Sequence, residues 1–325
     1  MRGSWLVGAC SMLAMAACTS GEEPGGETTG GGGTSETTGA GADGGTATGS
    51  GGSEPTTGSG ASGGGGGATG PTTSPGCMTG GMGLDEGEHT FSLDGYDRKY
   101  VLRLPSNYDP SVPWPIVLAL HGNGGSVAYW DVTSGPRNIR AVLEEDAVLI
   151  IAEAIDGQWR DYSADPSTWP ARIELELAYF EEVLTQVENA LCINEDALFS
   201  MGFSGGGSFS GVLGCRRTDV RGIAVGGSVI YFEEEDCVHT PAAWVTIGTE
   251  ELTSGREAFR DFFRDNAGCT ENLTAIEPSP CEAYEGCGAT TPVHYCQHPD
   301  GHIWPDFGSQ AMWDFFSALM VLDAD

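Results

Sequence analysis

A serine flanked by glycines is the best candidate nucleophile in this sequence. Ser204 lies at the centre of Gly202-Phe203-Ser204-Gly205-Gly206, a G-x-S-x-G pattern. The apolar run 197–203 before it is typical of a β-strand, and residues 205–213 after it are typical of a helix. A serine on a sharp strand-to-helix turn needs this order, because only small neighbours leave room for the turn. The same pattern at 60–64 has neither strand nor helix around it, so Ser204 is the predicted nucleophile.

A second glycine-rich turn predicts an oxyanion hole. The continuous apolar run 116–120 leads directly into His121-Gly122-Asn123-Gly124-Gly125. Glycines in such a turn let backbone N–H groups approach a substrate oxygen closely. The predicted donors are the N–H groups of Gly205 and Asn123, with that of Gly124 as the alternative. His121 lies on the oxyanion side, and we expect it to fix the loop rather than to act as a base.

A serine hydroxyl is a weak nucleophile and needs a general base, for which His302 is predicted. This residue lies in the turn-rich stretch PDGHIWPD, between the last predicted strand and the closing helix. His294 and His298 are expected to be structural. Their even spacing with His302 does not predict a metal site, because Pro299 and Gly301 keep the three side chains from sharing a helix face.

The acid that orients the histidine is expected after the predicted strand 242–248. Glu251 is the predicted acid and Glu250 the alternate, because both follow this strand directly. A carboxylate in this place holds the imidazole ring and stabilises its charged form during proton transfer. Asp236, in the preceding loop, is the main competitor.

Aromatic side chains in loops on the same side of the sheet predict contacts with the substrate. Trp159, Trp130 and Tyr129 are candidates for stacking on an aromatic acyl group, and Trp169 lies in a similar loop. Ordinary packing of these rings within the loops is the alternative.

The order of strand-like and helix-like segments indicates what positions these residues. Continuous apolar runs are typical of buried parallel strands, and apolar residues every three or four positions are typical of a helix. The pattern predicts an α/β fold with a mainly parallel central sheet and helices on both faces. The predicted strands are 98–104, 116–120, 147–151, 197–203, 222–229, 242–248 and 293–296, and the helices are 173–191, 205–213, 255–266 and 310–322.

The first 76 residues predict a signal and a linker. Residues 1–18 combine a positive start with a short apolar run ending in Ala16-Ala17-Cys18, as in a bacterial lipoprotein signal that leaves Cys18 lipidated. Ordinary secretion with cleavage nearby is the alternative. Residues 19–76 are almost entirely Gly, Thr, Ser, Ala and Pro, which predicts a disordered tether, with a glycosylated stalk as the alternative. The folded domain is predicted at 77–325.

Eight cysteines remain after the two in the predicted signal. An even number in an exported chain favours disulfides, up to four of them. Cys281 and Cys287 are close enough in sequence to pair, and a Cys269–Cys296 bond would close the surrounding loop. The spacing is irregular and includes no C-x2-C pair, which argues against zinc.

The composition limits the partners. The formal net charge is −32 and the only lysine is Lys99, which argues against binding to nucleic acid or to an anionic membrane surface. No aspartate-rich loop of the EF-hand type occurs in the sequence. We expect a monomer that meets a membrane only through a lipid anchor.

Several motifs together resemble one known group of enzymes. The stretches are RKYVLRLPSNYD, LHGNGG, LCINEDALFSMGFSGGG, GREAFRDFFRDNAGCT, VHYCQHPDGHIWPD and MWDFF. They resemble exported feruloyl esterases and the related polyhydroxybutyrate depolymerase-like esterases, which have the α/β-hydrolase fold. The resemblance covers the chain from about residue 77 onwards. It implies Ser204 as nucleophile, His302 as base, no cofactor, and disulfides at most of the cysteines.

The resemblance also shows where this chain departs from its pattern. It places the acid at Glu251, where relatives usually carry aspartate in an H-G-x-x-D stretch. Here Ile247 and Glu251 replace the histidine and the aspartate.

The expected function is therefore ester hydrolysis outside the cell. We expect a secreted or surface-tethered serine carboxylic ester hydrolase, with feruloyl esters of plant polysaccharide as substrates. A polyhydroxybutyrate depolymerase or oligomer esterase is the alternative enzyme. A non-catalytic surface binding protein on a hydrolase fold is the alternative of a different class, and the glutamate at the acid position is the feature that favours it.

Overall fold

The computed structural model describes residues 70–81 and 83–322. The predicted signal, with Cys18, and the linker as far as residue 69 lie outside the described residues. Within the described part, no helix is both long enough and apolar enough to cross a membrane.

Ten strands form one sheet in the order β1-β2-β4-β3-β5-β6-β7-β10-β9-β8. Their bounds are β1 Gly87–Leu93, β2 Tyr96–Arg103, β3 Trp114–Leu120, β4 Val148–Ala152, β5 Ile193–Phe203, β6 Val220–Gly226, β7 Ala242–Gly248, β8 Leu273–Ala275, β9 Cys281–Tyr284 and β10 Val293–His298. The central strands β4, β3, β5, β6, β7 and β10 run parallel, and antiparallel strands extend the sheet at both edges.

Six α-helices are described, four of them long. Their bounds are α1 Pro75–Thr79, α2 Ile139–Val142, α3 Trp169–Ala190, α4 Gly205–Arg216, α5 Ser254–Asn266 and α6 Gly308–Leu322. Short 3-10 turns lie at 127–129, 155–157, 166–168, 234–236 and 249–251.

The core consists of two apolar layers, one on each face of the sheet. Helices α3, α4 and α5 cover one face, where Phe180, Phe209 and Phe259 are fully buried. Helices α2 and α6 cover the other, where Phe316 stacks on Phe199 at 4.5 Å between ring centroids. Burial of large apolar side chains on both faces is what holds parallel strands in such a sheet. The predicted α/β fold with helices on both faces is confirmed.

The folded part begins before the predicted boundary at residue 77. Thr72 N–H donates to Asp196 Oδ2 at 2.7 Å, and Glu195 N–H donates to the Thr72 carbonyl at 2.9 Å. Ser74 is fully buried and donates through Oγ to the Leu191 carbonyl. The composition of this stretch resembles the linker, so only its tertiary contacts distinguish it.

Both predicted disulfide pairs are wrong, although all eight cysteines are paired. The bonds are Cys77–Cys192, Cys215–Cys237, Cys269–Cys287 and Cys281–Cys296. Strands β8 and β9 were not predicted, and they explain the error. Cys281 on β9 lies directly opposite Cys296 on β10 in the antiparallel register, so these two meet. Cys269 and Cys287 flank the β8–β9 hairpin, whose ends are brought together by strand pairing.

Candidate active site

The predicted nucleophile lies at a strained turn between β5 and α4. Ser204 has φ 55° and ψ −122°, a left-handed backbone that a residue with a side chain rarely adopts. The turn is held by a hydrogen bond from Ser204 N–H to the Gly226 carbonyl at 2.7 Å. Such strain persists only where the surroundings enforce it, and it is characteristic of functional sites.

The flanking glycines are required by close backbone contacts. A Cβ atom on Gly202 would lie 2.4 Å from the carbonyl carbon of Gly206. A Cβ atom on Gly206 would lie 2.2 Å from the Leu120 carbonyl oxygen, at the end of β3. The two glycines therefore let the turn close on itself and pack against the neighbouring strand. This is the arrangement of a nucleophile elbow.

The oxyanion loop lies directly against the start of α4. Asn123 Oδ1 accepts from Trp159 N–H at 3.1 Å, and its Nδ2 donates to the Arg160 carbonyl and to Tyr231 Oη. A Cβ atom on Gly205 would lie 2.4 Å from Asn123 Oδ1, so the two predicted donor residues are in contact. The side chain of Asn123 is thus fully engaged, and it fixes the direction of the backbone beside it.

The backbone donors of this loop differ in what they already bind. Gly124 N–H donates to the Gly157 carbonyl at 2.7 Å. Among the described residues, no hydrogen bond uses the N–H of Asn123 or of Gly205. A substrate oxygen would therefore find its free donors at Gly205 and Asn123, and the alternative donor at Gly124 is occupied.

His121 supports the oxyanion loop through hydrogen bonds of both its ring nitrogens. It is fully buried, its Nδ1 lies 2.7 Å from the Gly122 carbonyl, and its Nε2 accepts from Ala154 N–H at 3.2 Å. Both ring nitrogens are therefore engaged in the neutral tautomer that carries its proton on Nδ1. Burial lowers the pKa of His121 and favours this neutral form. The ring holds the loop and does not face the serine as a base.

Two of the three predicted substrate contacts are wrong. Trp159 and Trp130 are fully buried and have no surface for a ligand. Their indole N–H groups donate to the carbonyls of His121 and Leu120 at 2.6 and 2.8 Å. Each ring therefore braces the end of β3 and the oxyanion loop. Tyr129 is half-buried and stacks on Phe203 at 6.2 Å, so it remains a candidate.

The predicted base and acid meet at the other side of the serine. His302 donates from Nδ1 to Glu251 Oε2. Glu251 Oε1 accepts from Gly248 N–H at 3.2 Å, which ties the carboxylate to the end of β7. The imidazole ring lies 4.6 Å from the Phe203 ring, next to Ser204 in the chain. A Cβ atom on Gly227 would lie 2.7 Å from His302 Cε1, and a larger residue there would displace the ring.

The orientation of the imidazole leaves its second nitrogen open. Because Nδ1 of His302 faces Glu251, Nε2 is the atom available to a nucleophile. Ser204 Oγ has no hydrogen-bond partner among the described residues. Catalytic contacts are often long until substrate binds, and close only in the productive complex.

Arg256 is a site residue that the sequence analysis missed. It lies in the first turn of α5, and its Nε is 3.1 Å from Glu251 Oε2. This contact is an ion pair rather than a well-aligned hydrogen bond. Nη1 donates to the Glu251 carbonyl at 3.3 Å, and Nη2 is 3.4 Å from His302 Nδ1. Its position five residues after the acid, at a helix start, was the available sequence signal.

Several groups compete in setting the pKa of Glu251. Burial alone would raise it, since the side chain is only 6% exposed. The hydrogen bonds from His302 and Gly248, together with the positive charge of Arg256, outweigh burial and hold the pKa of Glu251 below its ordinary value. Glu251 is therefore ionised at neutral pH, as an orienting acid must be.

The other two candidates for the orienting acid, Glu250 and Asp236, do not contact His302. Glu250 is exposed, and its backbone N–H donates to the Asp300 carbonyl at 3.2 Å. Asp236 is exposed on the 3-10 turn 234–236 and pairs with Arg216 at 3.6 Å. Of the three carboxylates considered, Glu251 alone contacts His302.

The three evenly spaced histidines have three different environments. His294 packs edge-on against Phe315 at 4.8 Å, and burial lowers its pKa to about 4. His298 is buried and lies 3.8 Å from Asp300 Oδ2, whereas His302 is 40% exposed. No group of His, Cys, Asp and Glu suited to a metal ion occurs among the described residues.

A cavity of about 220 Å³ lies between the start of α3 and the segment after β6. Arg160, Trp169 and Tyr231 are among the residues that line it. The Arg160 guanidinium lies 3.4 Å from the centroid of the Trp169 ring and 4.8 Å from that of Tyr231. Because the hydroxyl of Tyr231 accepts from Asn123 Nδ2, the wall of this cavity is one hydrogen bond away from the oxyanion loop.

The fold and these side chains define a class of protein. A parallel sheet that carries a strained serine elbow at the carboxyl end of a central strand, with a histidine in the loop after the last parallel strand, is the arrangement of the α/β-hydrolases. Solved structures agree on the fold. A ferulic acid esterase superposes with a TM-score of 0.50 at 15% identity, covering 72% of this chain and 97% of that protein. The Bacillus cereus carboxylesterase superposes with a TM-score of 0.50 at 13% identity, covering 68% and 94%.

The curated proteins with similar sequences include feruloyl esterases. Feruloyl esterase C of Emericella nidulans is 25% identical over 243 residues, covering 68% of this chain and 84% of the relative. Feruloyl esterase D of Neurospora crassa is 25% identical over 259 residues, covering 70% and 84%. A probable feruloyl esterase C of Aspergillus niger is 26% identical over 265 residues, covering 75% and 91%. No family model matches the chain.

The resemblance to feruloyl esterases with the α/β-hydrolase fold is therefore confirmed. The protein is a carboxylic ester hydrolase.

Proposed function

We propose that this carboxylic ester hydrolase works through Ser204 as nucleophile, His302 as general base and Glu251 as orienting acid. One observation carries the proposal. Ser204 is held in a strained elbow, and the histidine beside that elbow is locked by Nδ1 onto a buried carboxylate. A neutral imidazole in this orientation presents the lone pair of Nε2, which is what a serine hydroxyl needs in order to lose its proton.

The reaction follows from this geometry in two halves. Ser204 Oγ attacks the ester carbonyl carbon while His302 Nε2 takes the hydroxyl proton. As the tetrahedral intermediate collapses, the bond from carbon to the alcohol oxygen breaks, and His302 gives its proton to that oxygen. Water then attacks the acyl-serine, again losing a proton to His302. The carboxylic acid leaves, and the proton returns to Ser204 Oγ.

The oxyanion that forms twice in this sequence is stabilised by the donors at Gly205 and Asn123. Both N–H groups lack a partner among the described residues, and Gly205 is also the first residue of α4. The partial positive charge of a helix N-terminus therefore adds to the two hydrogen bonds. A preorganised donor of this kind contributes about 100-fold to 1000-fold in kcat.

The substrate class we propose is an ester with an aromatic acyl group, with feruloyl esters of plant polysaccharide as the leading example. Proteins named feruloyl esterases are the curated relatives. The cavity lined by Trp169, Tyr231 and Arg160 supports an aromatic acyl group, because it is lined by aromatic side chains and is joined to the oxyanion loop by the hydrogen bond from Asn123 to Tyr231. Flat rings gain both buried area and stacking in such a pocket.

Two assays test the proposal. A fluorophosphonate probe should label intact protein at Ser204, as located by peptide mass spectrometry, and absence of label on folded protein would contradict the nucleophile. Methyl ferulate should be hydrolysed faster than short 3-hydroxybutyrate oligomers. The opposite preference would favour the alternative, a polyhydroxybutyrate depolymerase or oligomer esterase. No label and no hydrolysis of either substrate would favour a non-catalytic binding protein.

A pair of tryptophan variants tests the acyl cavity. Trp169→Ala should raise KM for methyl ferulate about tenfold, by the loss of roughly 1.4 kcal/mol of stacking, and leave hydrolysis of 4-nitrophenyl acetate nearly unchanged. Trp114→Ala is the matched control, because Trp114 is a half-buried ring at the opposite end of β3. Equal losses on both esters would mean that Trp169 only supports the fold.

The proposed location is outside the cell. Four disulfides fit an oxidising compartment. Lipidation at Cys18 remains a prediction, since this residue lies outside the described part of the chain. Metabolic labelling with a radioactive fatty acid in a bacterial host, compared between the natural chain and Cys18→Ser, would decide between a lipid anchor and free secretion.

A further inference from the structure

The roles proposed for the nucleophile and for the oxyanion hole do not explain why Arg256 lies beside the acid and the base. Its guanidinium contacts both members of the acid–base pair, with Nε 3.1 Å from Glu251 Oε2 and Nη2 3.4 Å from His302 Nδ1. The guanidinium is also tied to the turn that bears the acid, through the Glu251 carbonyl at 3.3 Å and Thr253 Oγ1 at 3.5 Å. Its side chain is only 20% exposed, so water screens these charges weakly.

A glutamate in this role needs more support than its contact with histidine provides. Its side chain has three rotatable bonds, and fixing them costs free energy that must come from contacts. Glu251 has three contacts, one each from His302, the Gly248 N–H and Arg256. Removal of Arg256 would leave the Oε2 atom held by His302 alone, and His302 itself lies in an exposed loop.

The charges around His302 give Arg256 a second effect. Glu251 sets a negative charge at Nδ1 of the ring, whereas the Arg256 guanidinium sets a positive charge 3.4 Å from the same atom. Asp300, on the same loop, is directed to His298 at 3.8 Å instead. The aromatic ring of Phe203 covers one face of the imidazole and carries no charge. Arg256 is therefore the cation that balances the acid at this ring.

We infer that Arg256 is a positioning residue: it holds the Glu251 carboxylate in place and sets a positive charge beside the His302 ring. The inference rests on the proposed roles of Ser204, His302 and Glu251. Arg256 touches neither of the atoms that react with the ester. It acts through the acid and the base.

The first experiment compares Arg256→Gln with Arg256→Lys by pH profiles of kcat/KM on methyl ferulate. Arg256→Gln should move the acidic limb of the profile to higher pH, because a cation within 4 Å of the ring is lost. Its kcat at the plateau should fall about tenfold with KM within about twofold. Arg256→Lys retains the charge, so its acidic limb should stay near that of the natural protein. Arg264→Gln is the matched control on α5, since Arg264 pairs with Asp261 and Asp265.

The second experiment is a double-mutant cycle with Glu251→Gln. If Arg256 acts through the acid, Arg256→Gln should cost little further activity once Glu251 is already replaced. Two results would overturn the inference. One is a double variant whose loss of activity equals the product of the two single losses, and the other is an acidic limb that does not move in Arg256→Gln. Arg256→Met, which also removes the charge, supplies the same cycle if the glutamine variant does not fold.

The outcome for Ser204 separates this inference from the function on which it rests. If the natural protein is labelled at Ser204 and hydrolyses the ester, but the Arg256 variants match it in pH profile, only the inference fails. If Ser204 is not labelled and Ser204→Ala retains the natural rate, the proposed mechanism fails first.

Discussion

The two halves of the site are built in different ways. The nucleophile half lies in buried structure, with Ser204 between β5 and a helix α4 in which nearly every residue is inaccessible to solvent. The acid–base half lies in two loops, with His302 40% exposed and its partner Glu251 supplied from 51 residues earlier. One half is held by its own backbone, and the other by contacts between side chains distant in sequence.

This difference has a physical reason. The nucleophile needs a backbone conformation that costs on the order of 1–3 kcal/mol, so rigid elements must enforce it. The histidine must accept and release a proton and meet the leaving alcohol, which requires access to solvent and to the substrate. Its orientation is therefore fixed by hydrogen bonds and charge, which hold a ring without burying it.

The largest expected effect tests the nucleophile half. Ser204→Ala should lower kcat/KM for methyl ferulate by at least about 10⁴-fold, as loss of a nucleophile does in serine hydrolases. The melting temperature should change little, since the strained turn is held by backbone contacts and not by the hydroxyl. Ser210→Ala, in the same helix, is the control that should retain activity. Substantial turnover by Ser204→Ala would mean that another residue is the nucleophile.

The next effect tests the acid–base half. Glu251→Gln should lower kcat about 100-fold to 1000-fold, because the amide neither carries the charge that stabilises the imidazolium nor enforces the tautomer. Glu250→Gln should have nearly natural activity, as its side chain is exposed and does not contact His302. A reversed result, with Glu250 the more sensitive position, would assign the acid to the alternate. Both are measured by steady-state kinetics on the same ester.

A smaller effect is expected for a residue that supports the oxyanion loop, in the nucleophile half of the site. Trp159→Phe removes the N–H that donates to the His121 carbonyl at 2.6 Å. A buried acceptor left without its donor costs about 1–3 kcal/mol of stability, and the oxyanion loop should loosen enough to lower kcat about tenfold. Trp313→Phe is the control, since its indole donates to Asp146 Oδ2. It should lose stability but little activity. Equal activities would show that the loop is rigid without this brace.

The smallest effect concerns stability in acid. Burial lowers the pKa of His294 in the folded protein to about 4, below its value of 6.5 in the unfolded chain. The unfolded chain therefore binds a proton first as the pH falls. Stability that is fully present above pH 6.5 is lost as the pH falls to about 4, by up to about 3 kcal/mol. His294→Phe should remove this loss in urea unfolding at several pH values, and His89→Phe should retain it. An unchanged pH dependence in His294→Phe would place the acid sensitivity elsewhere.

The sequence alone predicted most of the parallel sheet, because continuous apolar runs such as that in β3 reflect burial on both faces. It did not predict β1 or the β8–β9 hairpin. These are short edge elements with mixed polar character, and their pairing with the rest of the sheet supplies the stability that their composition does not. The wrong disulfide pairs followed from that omission.

The predicted aromatic contacts failed for a related reason. The position of Trp130 and Trp159 in loops suggested that their side chains are exposed. A position in a loop, however, does not reveal whether a side chain points to solvent or packs beneath the loop. Both pack beneath the loop, and their indole N–H groups bind carbonyls at the end of β3. Conversely, Trp169, which the sequence placed in a similar loop, lines a cavity together with Tyr231, which no local pattern indicated.

What the sequence determined by itself is the local part of the site: a serine between glycines at a strand-to-helix junction, and a glycine-rich turn after a buried strand. Such features are encoded by neighbours because the strain and the close backbone approach are local. The tertiary structure alone decided that Glu251 rather than Glu250 faces His302, that Arg256 joins them, and which cysteines pair. Those contacts link residues far apart in the chain, and only packing of the elements sets the distance between them.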